Sequence, residues 1–170
     1  MRKTVLIFSL ILGAIMSINI FVMVNMLYNN PDFKGNDVLG YTVMVVVFSL
    51  IFFGVRNYRN KQLGGYISFG KAFTTGALIA FIASTIYVAV WLFYYYLFVP
   101  DFIDVYTRHV LKNTSATELA AKTKEMADFK EMYKNPLFTI LITYSEVLPV
   151  GLVVALVSAF ILKRKKKAEG

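Results

Sequence analysis

Glu146 is the only acidic or basic residue inside four long apolar runs, so it is where chemistry is first sought. A carboxyl in hydrocarbon is costly to leave alone, and such residues usually face a bundle interior, a water-filled cavity or a partner. Pro149, three residues on, lacks a backbone donor and frees a carbonyl near residue 145, which predicts a kink with polar groups at hand. Counted inward from the span ends on the same side, Asn19 lies at nearly the depth of Glu146, with Ser84 and Thr85 as further neighbours. The expectation is an intramembrane polar cluster of Glu146, Asn19, Ser84 and Thr85. Such a cluster holds a proton or cation, or it is an interhelical hydrogen bond made by a neutral glutamate; the second use is the commoner one in membranes.

Other chemistries fail on residue type or spacing. Asp101, Asp104 and His109 do not converge: on a helix His109 falls off the line of the acids, and Asp104 can pair with Arg108 one turn on. No metal site is expected. With one histidine and no cysteine, a nucleophile with its base and orienting group cannot be assembled, so neither an enzyme nor a cofactor is expected. Asn113, Thr114 and Ser115 match a glycosylation sequon, a pattern too short to carry weight. Gly64, Gly65 and Gly70 sit before Lys71, but neither a G-x-x-x-x-G-K-[ST] run nor a G-x-G-x-x-G run is present, and an interfacial turn is the reading.

The elements that must position these residues follow from the solvent. Of 170 residues, 58% are apolar, and they concentrate in the runs 4–28, 38–55, 72–99 and 137–162. Each reaches the roughly 18–25 residues that cross about 30 Å of hydrocarbon as a helix. A backbone without water must satisfy itself, so the runs are read as transmembrane helices. The first is too long for the roughly 7–15 residue core of a secretory signal and is read as a retained span.

Charge sets the orientation. Arg2 and Lys3, the second connector with Arg56, Arg59, Lys61 and Lys71, and the tail 163–170 beginning Lys163, Arg164, Lys165, Lys166, Lys167 all fall on one side of an even number of spans. The positive-inside rule puts that side, and both termini, in the cytoplasm. It also accounts for the net charge of +8 without nucleic acid as a partner. Trp91, Tyr94, Tyr95 and Tyr96 mark the opposite interface. The third connector, 100–136, is predicted to be an extracytoplasmic helical hairpin. Its first helix opens at Pro100 and carries Phe102, Val105, Tyr106, His109 and Val110 on one face; the second starts from a capping box of Ser115 and Glu118 and carries Leu119, Met126, Phe129 and Tyr133.

Small residues supply the seams. Ala72, Gly76, Ala80 and Ser84 recur every four residues on the third span, and Gly151, Ala155 and Ala159 on the fourth, spacing that lets helices approach closely. Packing inside the chain is expected before pairing of two chains.

The stretch 64–73 (Gly-Gly-Tyr-Ile-Ser-Phe-Gly-Lys-Ala-Phe), the basic residues from Arg56 to Lys61, the charged insert before the last span, and a last span running from Pro149 and Gly151 through Ala159 into 163–167 resemble one of the domain-of-unknown-function families of bacterial four-span inner-membrane proteins. The resemblance covers essentially the whole chain and implies the bacterial cytoplasmic membrane; it supplies no activity and no site residue. The expectation is therefore an all-α integral membrane protein, a single domain over 1–170 built as an antiparallel four-transmembrane-helix bundle. Its function is expected to be non-enzymatic, structural or interaction-based, with the lipid bilayer and a second membrane protein or second copy as partners. The rival is a small proton- or cation-linked transport component that uses Glu146.

Overall fold

In the computed structural model, which describes residues 1–30 and 32–164, the chain is all helix: α1 (Arg2–Asn29), α2 (Asp37–Phe48), α3 (Leu50–Gln62), α4 (Phe69–Phe98), α5 (Phe102–Lys112), α6 (Leu119–Tyr133) and α7 (Pro136–Leu162). Four helices are long and apolar enough to cross a membrane: α1, the continuous pair α2–α3 over Val38–Gln62, α4 and α7. These are spans 1 to 4. The protein is thus a multi-pass membrane protein.

Helix starts have local causes. Asn36, Ser68 and Asn135 each accept a backbone N–H from the first turn that follows, at 3.0, 3.4 and 3.0 Å, and Pro136 occupies the first position of α7, where its missing N–H costs nothing. Span 2 runs past its apolar segment to Gln62, so Arg56, Arg59 and Lys61 belong to a helix end; the connector expected over 56–71 shortens to 63–68. That connector turns on Gly64 (φ 62°) and Gly65 (φ 89°), a conformation open to residues without a Cβ. At Ser49 span 2 is interrupted for a single residue, whose hydroxyl donates to the Val46 carbonyl at 2.6 Å.

Around the bundle the order is span 1, span 3, span 4, span 2, with span 3 packed hardest against spans 4 and 1. Gly76 of span 3 lies so close to span 4 that an added Cβ would stand 2.9 Å from Ala155 Cβ, and one on Gly151 would stand 2.8 Å from Ala80 Cβ. The same antiparallel register sets Ala72 opposite Ala159 and Ser84 opposite Val147, all of them buried. Leu12, Phe48, Ile51, Val55 and Ile79 fill the space between the spans. Removing apolar surface from lipid gains nothing, so this close fit and the dispersion it allows hold the spans together.

One end of the bundle gathers the first residues and the basic segments. The terminal amine donates to Gln62 Oε1, Gln62 donates to Thr4 at 2.8 Å, and Ile67 pairs through its backbone with Arg164. We call this the basic end; the remainder of the basic tail, 165–170, lies outside the described residues. The other end carries α5 and α6, which rest on the spans through Trp91, Tyr95, Val99, Ile103 and Tyr133. Trp91 meets Phe102 edge-on at 4.9 Å, and Tyr95 meets Tyr133 at 5.6 Å.

These two helices differ in detail from the sequence expectation. On α5 the buried residues are Ile103 and Val105, while Tyr106 is exposed. The Ser115 hydroxyl bonds the Glu118 carboxylate at 2.8 Å instead of closing a capping box, and α6 starts only at Leu119, which is itself exposed. Its inward stripe is Met126, Phe129 and Tyr133.

Candidate functional site

Pro149 sits inside α7 and cannot donate to the Ser145 carbonyl, while the Ser145 hydroxyl turns back to the Ile142 carbonyl at 2.7 Å. Glu146 stands one turn before Pro149 and Val150. Its side chain is exposed at the surface of the chain, and it makes no hydrogen bond or ion pair with another described residue. The phenols of Tyr87 on span 3 and Tyr133 on α6 lie within electrostatic reach of its carboxyl.

The four residues of the expected polar cluster do not come together: no hydrogen bond joins any two of Glu146, Asn19, Ser84 and Thr85 among the described residues. Asn19 is exposed on span 1, which lies diagonally across the bundle from span 4. Thr85 is exposed on the span 3 surface; its hydroxyl donates to the Phe81 carbonyl at 2.8 Å and accepts from Tyr144 at 2.8 Å. Ser84 is fully buried with its hydroxyl unpartnered, because the register of the small-residue seam places it against Val147, one residue and about 100° away from Glu146. Thr85 lies near the level of Glu146, joined to its neighbour Tyr144, whereas Asn19 lies nearer the α5–α6 end, with Phe21 packed on Tyr94.

Hydroxyls inside the spans mostly serve their own helices. Ser17 donates to the Gly13 carbonyl at 2.7 Å, Thr75 to Lys71 at 2.7 Å and Thr143 to Thr139 at 2.7 Å. An interspan exception is Ser9, which reaches the Ile79 carbonyl at 3.3 Å. Such back-bonds satisfy a polar group in hydrocarbon without supplying a path for an ion.

At the far end from the basic segments, Lys112–Asp32, Lys122–Glu125, Lys130–Asp104 and Lys134–Glu131 are exposed ion pairs. Lys112 pairs with Asp32 at 2.9 Å and holds its carboxyl below the usual range, tying the first connector to α5, while Lys130 pairs with Asp104 across α5 and α6. Asp104 thus pairs with Lys130, and Asp101 accepts from Tyr28 at 2.8 Å. Among the described residues no group of three or more His, Asp or Glu side chains is placed to hold a metal. Burial pushes the Tyr133 phenol up to about 12, so it stays neutral at physiological pH.

One group escaped the sequence reading: Tyr87 is a phenol in the middle of span 3, a signal that was available. Arg56, read there only as a topogenic charge, is exposed on the last turns of span 2.

A family model described as protein of unknown function (DUF4199) matches residues 7–164. No curated protein and no solved structure matches the chain.

Proposed function

The chain belongs to the DUF4199 family of proteins of unknown function, and from that premise we propose that it is a non-enzymatic interaction component of the bacterial cytoplasmic membrane, acting through lateral contact with another membrane protein. One observation carries the reading: Glu146 stands exposed on span 4 with no hydrogen-bonding partner among the described residues. Hydrocarbon penalises an unsatisfied carboxyl by several kcal/mol at the order of magnitude, so a donor from outside the chain is the economical solution. The freed Ser145 carbonyl beside it offers that donor a second acceptor.

Use of Glu146 as the ionisable group of a transport path has less support. Its expected ligand Asn19 faces outward on the diagonal helix, and the hydroxyls of Ser17, Thr75 and Thr143 bond backbone carbonyls of their own helices. For orientation, the grouping of Arg2, Lys3, Arg56, Arg59, Lys61, Lys163 and Arg164 at one end supports a cytoplasmic basic end, with α5 and α6 on the other side.

The test is affinity purification from native membranes of the wild type, Glu146→Gln and Glu146→Leu. A membrane protein should accompany the wild type and Glu146→Gln, which keeps hydrogen bonding, and be lost from Glu146→Leu. Recovery of the wild-type chain alone, or a partner retained equally by Glu146→Leu, would refute the reading.

A further inference from the structure

Beyond lateral contact at Glu146, we propose that the groove between span 2 and span 4 is a binding site for one anionic glycerophospholipid, with an acyl chain in the groove and the headgroup phosphate at Arg56. The groove encloses about 570 Å³. Val45, Ser49 and Phe52 form one wall, and α7 from Pro149 through Val157 to Ile161 forms the other. Its surface is apolar: the Ser49 hydroxyl is turned back to the Val46 carbonyl, and Ser158 is buried.

Length fits a single leaflet. Pro149 to Ile161 rises about 18 Å along a helix, against about 15 Å for half of the hydrocarbon core. The groove starts one turn below Glu146, near the middle of α7, and runs to the basic end, so it and the proposed partner contact occupy different halves of the bundle.

Charge selects the headgroup. Residues 45, 49, 52 and 56 follow the spacing of one helix face, so Arg56 stands one turn beyond Phe52 at the groove mouth. Arg56 is exposed and makes no hydrogen bond or ion pair with another described residue. Arg59, one turn further, donates to the Leu162 carbonyl at 3.2 Å and so fixes the end of span 3's neighbour α7 against span 2. Lys163 and Arg164 add positive charge at the same end. A planar guanidinium bonds two phosphate oxygens at once, and a zwitterionic lipid would gain less from the net positive field.

The experiment reconstitutes the full chain into vesicles containing a trace of phosphatidylglycerol, or of phosphatidylcholine, with a photoactivatable acyl chain, and maps the adducts by peptide mass spectrometry. Phosphatidylglycerol adducts should concentrate on peptides spanning 45–56 and 149–161, above the lipid-facing surface of span 1 at Leu6, Leu10 and Ile18. Arg56→Gln should reduce them about fivefold, the weight of one basic side chain at an anionic headgroup. Val153→Trp, which fills the groove from an exposed position, should abolish them, with an unchanged melting profile in detergent reporting an intact bundle. Even labelling over all spans, equal labelling by phosphatidylcholine, or insensitivity to both substitutions would overturn the proposal. So would a cross-linked second copy of the chain on the same peptides in place of lipid.

Discussion

At the scale of single residues, Glu146 separates two kinds of inference. That a carboxyl in a span needs a partner follows from hydrogen-bond energetics and is legible in the sequence. Where the partner comes from is not, because depth is counted along the chain while direction depends on which helices become neighbours. Asn19 shows the difference: it sits on the diagonal span and faces outward, and with Phe21 packed on Tyr94 it lies nearer the α5–α6 end than Glu146, whose neighbour Tyr144 bonds Thr85. With Glu146 exposed and unbonded within the chain, Glu146→Leu should be no less stable to heat in detergent than Glu146→Gln, because an apolar side chain suits those apolar surroundings at least as well as an unbonded amide. A clear loss confined to the Leu variant would mean that the carboxyl is bonded inside the bundle after all.

At the scale of elements, the seam between spans 3 and 4 sets the register of the bundle. The four-residue spacing of Gly76 with Ala80 and of Gly151 with Ala155 was readable in advance, since only small side chains admit backbones so close. What each glycine faces was not, and it decides the cost of substitution. Gly54 would press a new Cβ against the far end of the Ile79 side chain at 2.8 Å and the Phe8 ring at 3.1 Å, both side-chain atoms that can give more than a Cβ fixed to a backbone; Gly151 would press against Ala80 Cβ at 2.8 Å and Phe48 Cε1 at 2.9 Å. Alanine gains up to about 1 kcal/mol of helix propensity over glycine at either site. Gly54→Ala should therefore be close to neutral, and Gly151→Ala destabilising by about 1–3 kcal/mol, the usual range for overpacking. Unfolding in mixed micelles followed by helical circular dichroism measures both; equal midpoints would show that the seam is loose. The insert was legible as two helices from its apolar spacing, yet the start of α6 was misplaced. Ser115 and Glu118 satisfy each other through side chains, so the pair that resembles a capping box does not cap.

At the scale of the whole molecule, four apolar helices and a charged insert were fixed by solvent physics and could be counted from the sequence, whereas the circular order of the spans had to come from packing. That order moves Asn19 away from Glu146 and creates the groove between spans 2 and 4, with its cation at the mouth. The account as a whole rests on a membrane-spanning bundle whose basic end faces the cytoplasm. Because the chain contains no cysteine, single introduced thiols are unique reporters of sidedness. Exposed positions at the two ends are Ser115, before α6, and Lys61, at the end of span 2. The decisive measurement is labelling of Ser115→Cys and Lys61→Cys in bacterial cells whose inner membrane is intact, with a thiol reagent that cannot cross it. The account predicts that Ser115→Cys reacts at once and Lys61→Cys only after the inner membrane is permeabilised; the reverse order, or prompt reaction at both positions, would contradict it.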